Sequence, residues 1–450
     1  MWDGQHWKED ALNSIGECVT HVTDLYIEAA QRVSGKILVA TQRGENASKD
    51  QMLFGKLVRQ SKKYRDLPKI NAVKTLASAQ RDLVVKGDIW GQDPYILGVL
   101  NGDLDFRTGE LTNGVPERYI KDVCNAEWKG LDEPAPLYAK FLSELWANPD
   151  YEPFVQRLSG YAATGLTNER KIFVYHGAQG QNGKTVLMNT LNFVLGEYMD
   201  KGASDILIEK KYNSGGSSAQ PQIVNMLGRH IMCFSETRQG ARLDAATVKE
   251  LTGGDGISTR RLYGETFTIS AIPTLFLLTN HLPHISSEDN ALWYRMVLVP
   301  FEMSYVDNPT KPHERLADQF LEEKLKAETS GILAWLVKGF MEYSKRGLDV
   351  PESIKNEAKK YKDSEDAVGT FLVEYTVNEG EIQASKLYRL FLDDQKGNQG
   401  IKNPMSNAAF SRRMTTLGHK KEIKRNVAYW QSISLSPDAP VVDVFAGFNN

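Results

Sequence analysis

One segment constrains the architecture of this chain more than any other. It is Lys171-Ile-Phe-Val-Tyr-His-Gly-Ala-Gln-Gly-Gln-Asn-Gly-Lys-Thr185, followed by Val-Leu-Met-Asn-Thr-Leu-Asn-Phe-Val-Leu. The apolar run rich in β-branched and aromatic residues reads as a buried strand. Small and polar residues then form a loop, and Val186, Leu187, Leu191, Val194 and Leu195 recur at helical spacing. Strand, glycine loop, Gly-Lys-Thr and helix is the arrangement that binds a triphosphate, because loop N–H groups and the positive end of the helix dipole face the β-phosphate. Gly180, Gln181, Asn182, Gly183, Lys184 and Thr185 are the candidate ATP-binding residues. Lys184 can reach the β and γ oxygens, and the Thr185 hydroxyl can complete the coordination of Mg²⁺. The pattern Gly-x-x-x-x-Gly-Lys-Ser/Thr puts its first glycine at Ala178, with Gly177 one residue early. A solvated turn that happens to hold a lysine is the alternative; the joint occurrence of all four parts favours nucleotide binding.

Downstream lie further parts that an ATPase needs. Arg229-His-Ile-Met-Cys-Phe-Ser-Glu236 reads as a second strand ending in a carboxylate, which can polarise the attacking water or hold the metal through its water shell. Glu236 is therefore a candidate catalytic and metal-facing residue, against the reading of a surface acid that ends a strand. A third strand, Ile272 to Asn280, ends in an amide that can hold the same water; taken alone, Asn280 is equally a turn residue. Trp293-Tyr-Arg-Met-Val-Leu-Val-Pro-Phe301 reads as a fourth strand introduced by Arg295. An arginine there can stabilise charge on a transferring phosphoryl group, in its own or a neighbouring subunit; by itself it is equally a salt-bridging arginine.

Between the second and third strands, Gly253, Gly254 and Gly256 precede a hairpin from Ile257 to Ile269, turning near Leu262-Tyr-Gly264 and carrying Arg260 and Arg261. Two arginines and Tyr263 at a tip suit a phosphate backbone with a base stacked beside it. A solvated hairpin with incidental charges reads equally well.

The 450-residue chain is long enough for two or three domains. Its net charge of −3 confines any nucleic-acid binding to local patches. Cys18, Cys124 and Cys233 are widely spaced with no Cys-x-x-Cys, which argues against a zinc site and a disulfide framework and fits a reducing cytoplasm. No apolar run is long enough for a membrane span, and no signal-peptide pattern opens the chain.

Residues 1–155 read mostly as helices, over Ala11 to Val33, Leu53 to Tyr64 and Ala72 to Val84, with a basic run at Arg59, Lys62, Lys63, Arg65 and Lys69. That run is a solvated helix face or, in a sharper reading, an outer DNA collar. Residues 156–345 alternate strand and helix as an α/β nucleotide-binding domain does. Residues 346–450 begin with a connecting helix over Val350 to Tyr361. Three short helices follow, the last capped by Ser406 or Asn407 and ended by Gly418, and then an alternating hairpin from His419 to Ile433. Three helices and a wing suggest a winged-helix module. From Ile401 to Trp430 seven basic residues (Lys402, Arg412, Arg413, Lys420, Lys421, Lys424, Arg425) stand against the single acid Glu422. This asymmetry points to a phosphate-binding surface, with a protein–protein module as the alternative.

Phe234-Ser-Glu-Thr, Leu243, Lys249-x-Leu-Thr-Gly-Gly-Asp-x-Ile257, Arg261-Leu-Tyr-Gly264, Thr279-Asn-His-Leu-Pro283 and Asp289-x-x-x-Trp-x-Arg295 to Pro300-Phe301 occur in that order. Together they resemble the superfamily 3 helicase core of phage, plasmid and poxvirus primase-helicases. Upstream, Leu97-Gly-Val-Leu-Asn-Gly-Asp-Leu-Asp-Phe106 and Arg157-Leu-Ser-Gly-Tyr-Ala-Ala-Thr-Gly165 resemble the leader region of these proteins. The resemblance implies an α/β, AAA+-like ATPase core with a mostly helical N-terminal leader or collar and a C-terminal winged helix. It gives Glu236 the Walker B role, Asn280 the sensor 1 role and Arg295 the arginine finger. It puts Lys249, Arg260 and Arg261 on DNA in a central channel. Three positions depart from the pattern: Ala178 replaces a loop glycine, Tyr294 stands where many relatives have a second arginine, and Ser235-Glu236-Thr237 holds one acid.

The function so implied is a ring-forming, hexameric ATP-dependent DNA helicase that uses Mg²⁺, translocates on single-stranded DNA and opens forked duplex, with 3′-to-5′ polarity taken from the family alone. Relatives often carry an upstream primase-polymerase domain. This chain starts about where the helicase leader does, so it reads as a stand-alone helicase or a trimmed piece that works with a primase partner. The rivals are an origin-binding initiator without robust unwinding, a packaging motor and a small-molecule kinase.

Overall fold

The computed structural model describes residues 1–10, 14–80, 89–209, 221–260, 266–269, 272–398 and 404–437. The helical periodicity near the start becomes α1 (Ser14–Gln42), α2 (Ser48–Lys63) and α3 (Leu67–Ala77), with α1 and α2 packed side by side and the Tyr26 and Tyr64 rings stacked between them. The next segment differs from the mostly helical reading. It forms a three-stranded antiparallel sheet, β1 (Ile96–Val99), β2 (Gly102–Asp105) and β3 (Glu110–Thr112). Strands of three or four residues are too short to show a periodicity; Gly102 and Gly109, both at positive φ, mark its turns. The first ten residues dock on this sheet, where His6 and Arg118 flank the buried Asp103 carboxylate.

The chain continues through α4 (Pro136–Leu145), α5 (Tyr151–Ala163), β4 (Ile172–His176), α6 (Lys184–Leu195), β5 (Met199–Ala203), the short α7 (Pro221–Val224) and β6 (Ile231–Ser235). Then come α8 (Ala245–Leu251), β7 (Ile257–Arg260), β8 (Thr266–Ile269), β9 (Thr274–Thr279), α9 (Asn290–Arg295) and β10 (Met296–Pro300). Trp293 and Tyr294, read as strand, instead belong to α9: the Asp289 carboxylate accepts from the Leu292 N–H and starts a helical turn there, so Arg295 ends a helix and the strand begins at Met296. A small parallel pair, β11 (Ser304–Val306) and β12 (Glu314–Leu316), leads to α10 (Leu321–Leu325) and α11 (Thr329–Arg346).

The main sheet is wholly parallel, in the order β10-β4-β9-β6-β5. Four of its strands, β10, β4, β9 and β6, are apolar along most of their length because both faces are covered, whereas the edge strand β5 (Met-Asp-Lys-Gly-Ala) buries only Met199. Phe173, Tyr175, Cys233, Phe276, Leu278, Val297 and Val299 face a core completed by α4, α5, α6 and α11. The alternate residues Ile172, Val174, Met232, Phe234, Leu275, Leu277 and Leu298 face a second core with α8, Trp293 and Tyr361. From β4 the chain crosses to the β5 edge, whereas from β9 it crosses to the β10 edge. The loops leaving these two adjacent strands therefore run in opposite directions, and a crevice at such a switch point is where open α/β sheets bind ligands.

The connecting helix is present as α12 (Glu352–Ser364). Beyond it, α13 (Ala367–Tyr375), β13 (Thr376–Val377), β14 (Glu381–Gln383), α14 (Ala384–Asp393), α15 (Asn407–Thr416), β15 (Lys421–Lys424), β16 (Val427–Gln431) and β17 (Ser434–Leu435) enclose a third core of Phe371, Leu387, Phe391, Phe410, Met414 and Trp430. The Ser406 hydroxyl caps α15, and β15 and β16 form a hairpin turning on Arg425 and Asn426, both at positive φ as a tight two-residue turn demands. The three helices and hairpin read from the sequence are thus all present; β14, an added strand against β16, was not read.

Helices α5 and α11 meet closely at Gly160. A Cβ there would sit 2.2 Å from the Phe340 nitrogen and 2.5 Å from the Leu336 oxygen. Inside a helix, alanine for glycine normally gains about 0.5–1 kcal/mol, but overpacking against rigid backbone costs about 1–3 kcal/mol. Gly160→Ala is accordingly expected to lower the thermal unfolding midpoint; a midpoint equal to or above that of the parent would show that the two helices can part without cost.

Candidate nucleotide site and basic surfaces

The loop between β4 and α6 is shaped by its residues one at a time. A side chain at Gly177 would collide with the Asn182 amide at 1.9 Å and the Phe301 oxygen at 2.7 Å. Here, then, is the position that requires glycine, and Ala178 is exposed and unconstrained. Gly180 also stands in open space. Gln181 takes a left-handed φ of 56° and its carbonyl accepts from the Tyr305 N–H at 2.7 Å, which pins the loop to β11. Gly183, at φ 82°, is the N-cap of α6, and no side chain caps that helix. Its first N–H groups are therefore left for a ligand, the condition under which a helix N-terminus holds phosphate. Thr185 is exposed in the first turn.

Lys184 is buried, and its ammonium is the centre of the site. Nζ donates to Asn182 Oδ1 and to Asn280 Oδ1, each at 2.9 Å, with the Gly177 carbonyl at 3.4 Å. Asn182 is itself held by donating from Nδ2 to the Gln179 carbonyl at 2.7 Å. The candidates Asn182, Lys184 and Asn280 thus meet, the last from the end of β9. Burial draws the Lys184 pKa down to about 8, partly opposed by the negative field of Glu236.

Glu236 is the first residue after β6, at a left-handed φ of 59°. Its N–H donates to the Leu278 carbonyl at 2.8 Å, and its own carbonyl accepts from Ser204 Oγ at 2.7 Å. The adjacent Thr237 hydroxyl lies 2.6 Å from both Thr279 Oγ1 and the His281 carbonyl. Ser204, Thr237 and Thr279 were not singled out by sequence reasoning, although Thr237 and Thr279 are written in the motifs around Glu236 and Asn280.

Arg295 lies elsewhere. It precedes Met296, which is level with Ile172 at the start of β4, whereas Pro300 is level with His176 at the phosphate-loop end. Four residue steps along the strand put about 13 Å between the two ends. At its own end Arg295 approaches Thr252 Oγ1 at 3.4 Å and the Lys249 carbonyl at 3.5 Å. Lys171 stands beside it, 3.7 Å over the Tyr294 ring, so Tyr294, which takes the place of a second arginine, gives a platform to a neighbouring cation.

The DNA-facing candidates fare unevenly. Lys249 forms an ion pair with Asp289 at 2.9 Å. Arg260 closes β7, with its side chain outside the described residues, as are Arg261 and Tyr263. Arg413 does not face solvent: it is mostly buried and grips the Asp366 carboxylate with two nitrogens, at 2.9 and 2.6 Å. Lys424 pairs with Glu381. Arg412, Lys420, Lys421 and Arg425 remain exposed on α15 and the hairpin, and Lys421 sits 5.1 Å over the Trp430 ring. Lys402 lies outside the described residues.

Comparison with known proteins shows what the chain is similar to. Residues 1–147 match the family described as "D5 N terminal like". Proteins named "Putative helicase" are similar along much of the chain. The one from Acanthamoeba polyphaga mimivirus is 27% identical over 395 residues, covering 80% of this chain and 41% of that protein. The one from Invertebrate iridescent virus 3 is 24% identical over 349 residues, covering 69% and 37%. A third, from Frog virus 3, is 30% identical over 224 residues, covering 48% and 22%. The resemblance carried by the motifs is thus matched by helicase-named proteins of large DNA viruses, and this chain spans about two fifths of the length of the first two. Among solved structures, the apo C-terminal region of NrS-1 is 12% identical with a TM-score of 0.43, over 68% of this chain and 79% of that one. Among the described residues no helix is long and apolar enough to cross a membrane.

The lowered Lys184 pKa has a measurable sign. A triphosphate beside the ammonium would raise its proton affinity, so above pH about 8 the free site holds fewer protons than the bound one. ATP binding is expected to take up a proton there, and affinity to fall by up to about tenfold per pH unit as pH rises through that value. Calorimetry in two buffers of different ionisation heat checks this; a flat profile with no proton uptake would remove the buried ammonium from the binding step.

Proposed function

We propose that this chain is the motor part of an ATP-dependent DNA helicase that works as a ring, with each nucleotide held between two subunits. The observation that carries the reading is the convergence of Asn182 and Asn280 on the buried Lys184 ammonium at the switch point of a parallel sheet, beside an uncapped helix N-terminus. In this reading residues 1–155 are the leader or collar, 156–345 an AAA+-like phosphate-loop core and 346–450 a linker helix with a winged helix. Gly180 to Thr185 cradle the phosphates of ATP.

Among the described residues no cluster of three or more His, Cys, Asp or Glu offers a metal cage. That fits Mg²⁺, which takes a hydroxyl, phosphate oxygens and waters rather than a full set of protein ligands. Thr185, and Glu236 through water, would hold it, and it would supply charge neutralisation. Glu236 accepts a proton from the attacking water, whose oxygen bonds the γ-phosphorus as the bond to the ADP oxygen breaks; Asn280 orients that water. Arg295 lies at the other end of β4 from its own Lys184, which supports service to a neighbour's nucleotide. Lys249 and the β7–β8 hairpin with Arg260, Arg261 and Tyr263 would face single-stranded DNA in the channel. Arg412, Lys420, Lys421 and Arg425 would meet duplex at the fork, with Lys424 and Arg413 supporting that surface through their acid partners. A primase domain or partner fits the same reading.

The test is ATP hydrolysis with and without single-stranded DNA, together with strand displacement on a forked duplex. Lys184→Ala and Arg295→Ala are each expected to lose at least about 100-fold in hydrolysis. Mixing the two inactive variants should restore part of the rate, because some interfaces then pair an intact Lys184 with an intact Arg295. Absence of recovery in a mixture that assembles would refute the shared site, and unstimulated hydrolysis without unwinding would favour an initiator.

A further inference from the structure

We propose that Thr237 is a positioning residue: its hydroxyl locks the chain after Glu236 to the chain around Asn280, and with Ser204 it aims the Glu236 carboxylate at the attacking water. The inference rests on the ATPase reading above and assigns parts to residues that the nucleotide does not touch.

Glutamate has no local means of stabilising a left-handed backbone, yet Glu236 holds φ 59°. A non-glycine residue persists there only where its surroundings over-determine it. Three fixings do so, and none uses the carboxylate. The Glu236 N–H is bound to the Leu278 carbonyl at 2.8 Å, the Glu236 carbonyl to Ser204 Oγ at 2.7 Å, and Thr237 Oγ1 lies 2.6 Å from Thr279 Oγ1. The backbone is clamped on both sides and the acid is left free for chemistry.

The Thr237–Thr279 pair is a closed circuit. Both hydroxyl oxygens lie 2.6 Å from the His281 carbonyl and from each other; with two protons for these three contacts, one hydroxyl donates to the other and the second to the carbonyl, while the His281 N–H donates to Thr279 Oγ1 at 3.0 Å. Asn280 lies inside that loop, between its two anchors. Thr237 is 5% exposed and Thr279 1%, so water does not replace a lost partner. The circuit therefore fixes the distance between Glu236 and Asn280, the two groups that must address one water molecule, and the same Asn280 holds Lys184 at 2.9 Å. A nucleotide that takes over Lys184 frees the Asn280 amide for that water while the circuit keeps its backbone in place.

Thr237→Val keeps the shape and deletes the hydroxyl. It is expected to lower kcat for ATP hydrolysis about tenfold or more while ATP affinity stays within about twofold, since small misplacements act on the chemical step. Thr237→Ser should recover most of the rate. On a Glu236→Gln background Thr237→Val should cost nothing further, because both act through one carboxylate. An unchanged kcat, or a loss that multiplies fully with that of Glu236→Gln, overturns the proposal. If Thr237→Val does not fold, Ser204→Ala carries the same expectation with a smaller drop. Lys184→Ala separates the two levels: hydrolysis that needs Lys184 but ignores Thr237 and Ser204 sinks the positioning role alone, whereas hydrolysis indifferent to Lys184 sinks the ATPase reading with it.

Discussion

A buried ammonium organises this molecule. Taking the Lys184 charge out of water is costly unless oxygens replace its hydration, and the fold supplies them from Asn182 in the same loop and from Asn280, 96 residues away. The second can arrive only because β4 and β9 are neighbours in a parallel sheet, in register from Ile172 to His176. The neighbours in turn require both faces of the sheet to be dry, which the two cores over α5–α6–α11 and over α8 and Trp293 provide. The side-chain oxygens on Lys184 are amides rather than carboxylates, so the ammonium can meet an anionic ligand without first breaking a direct ion pair.

A parallel sheet also sorts chemistry by end. Every strand of the main sheet delivers its C-terminal residue to one edge, which gathers Gly177 after β4, Glu236 after β6 and Asn280 after β9. Whatever precedes a strand is carried to the other edge, and there Lys171 and Arg295 stand together. The cation that would complete the phosphate site is thus kept from its own chain's loop by the length of a strand. In the proposed ring, one subunit's far end would meet the next subunit's near end, so that the two halves would act on one nucleotide.

Much of this was legible in the residues. The loop announced itself because glycine, lysine and threonine sit between a strand pattern and a helix pattern, and Glu236 and Asn280 because each closes an apolar run. The displacement of the first loop glycine to Gly177 was visible but its reason was not: only the fold shows that the Asn182 amide fills the space a Cβ would need. The strand reading of Trp293 and Tyr294 failed because aromatic residues beside Met296–Pro300 imitate a longer strand, while a cap from Asp289 turns them into helix. The β1–β3 sheet escaped because its strands are shorter than any period. Charge counting went astray differently. Seven basic residues suggested one surface, but the Asp366 that neutralises Arg413 lies 47 residues upstream, beyond any local tally.

The left-handed Glu236 shows how the cores and the site depend on one another. Its φ is tolerable because Leu278 offers its carbonyl from a strand buried on both sides, and because Thr237 and Thr279 are sealed from water. Exposed hydroxyls would exchange partners with solvent, and the backbone at 236 would relax toward a commoner conformation, turning the carboxylate away. Burial at the sheet end therefore does more than stabilise the fold. At Thr237 and Thr279 it turns ordinary hydroxyl contacts into a fixed mount beside Glu236, whose carboxylate stays exposed.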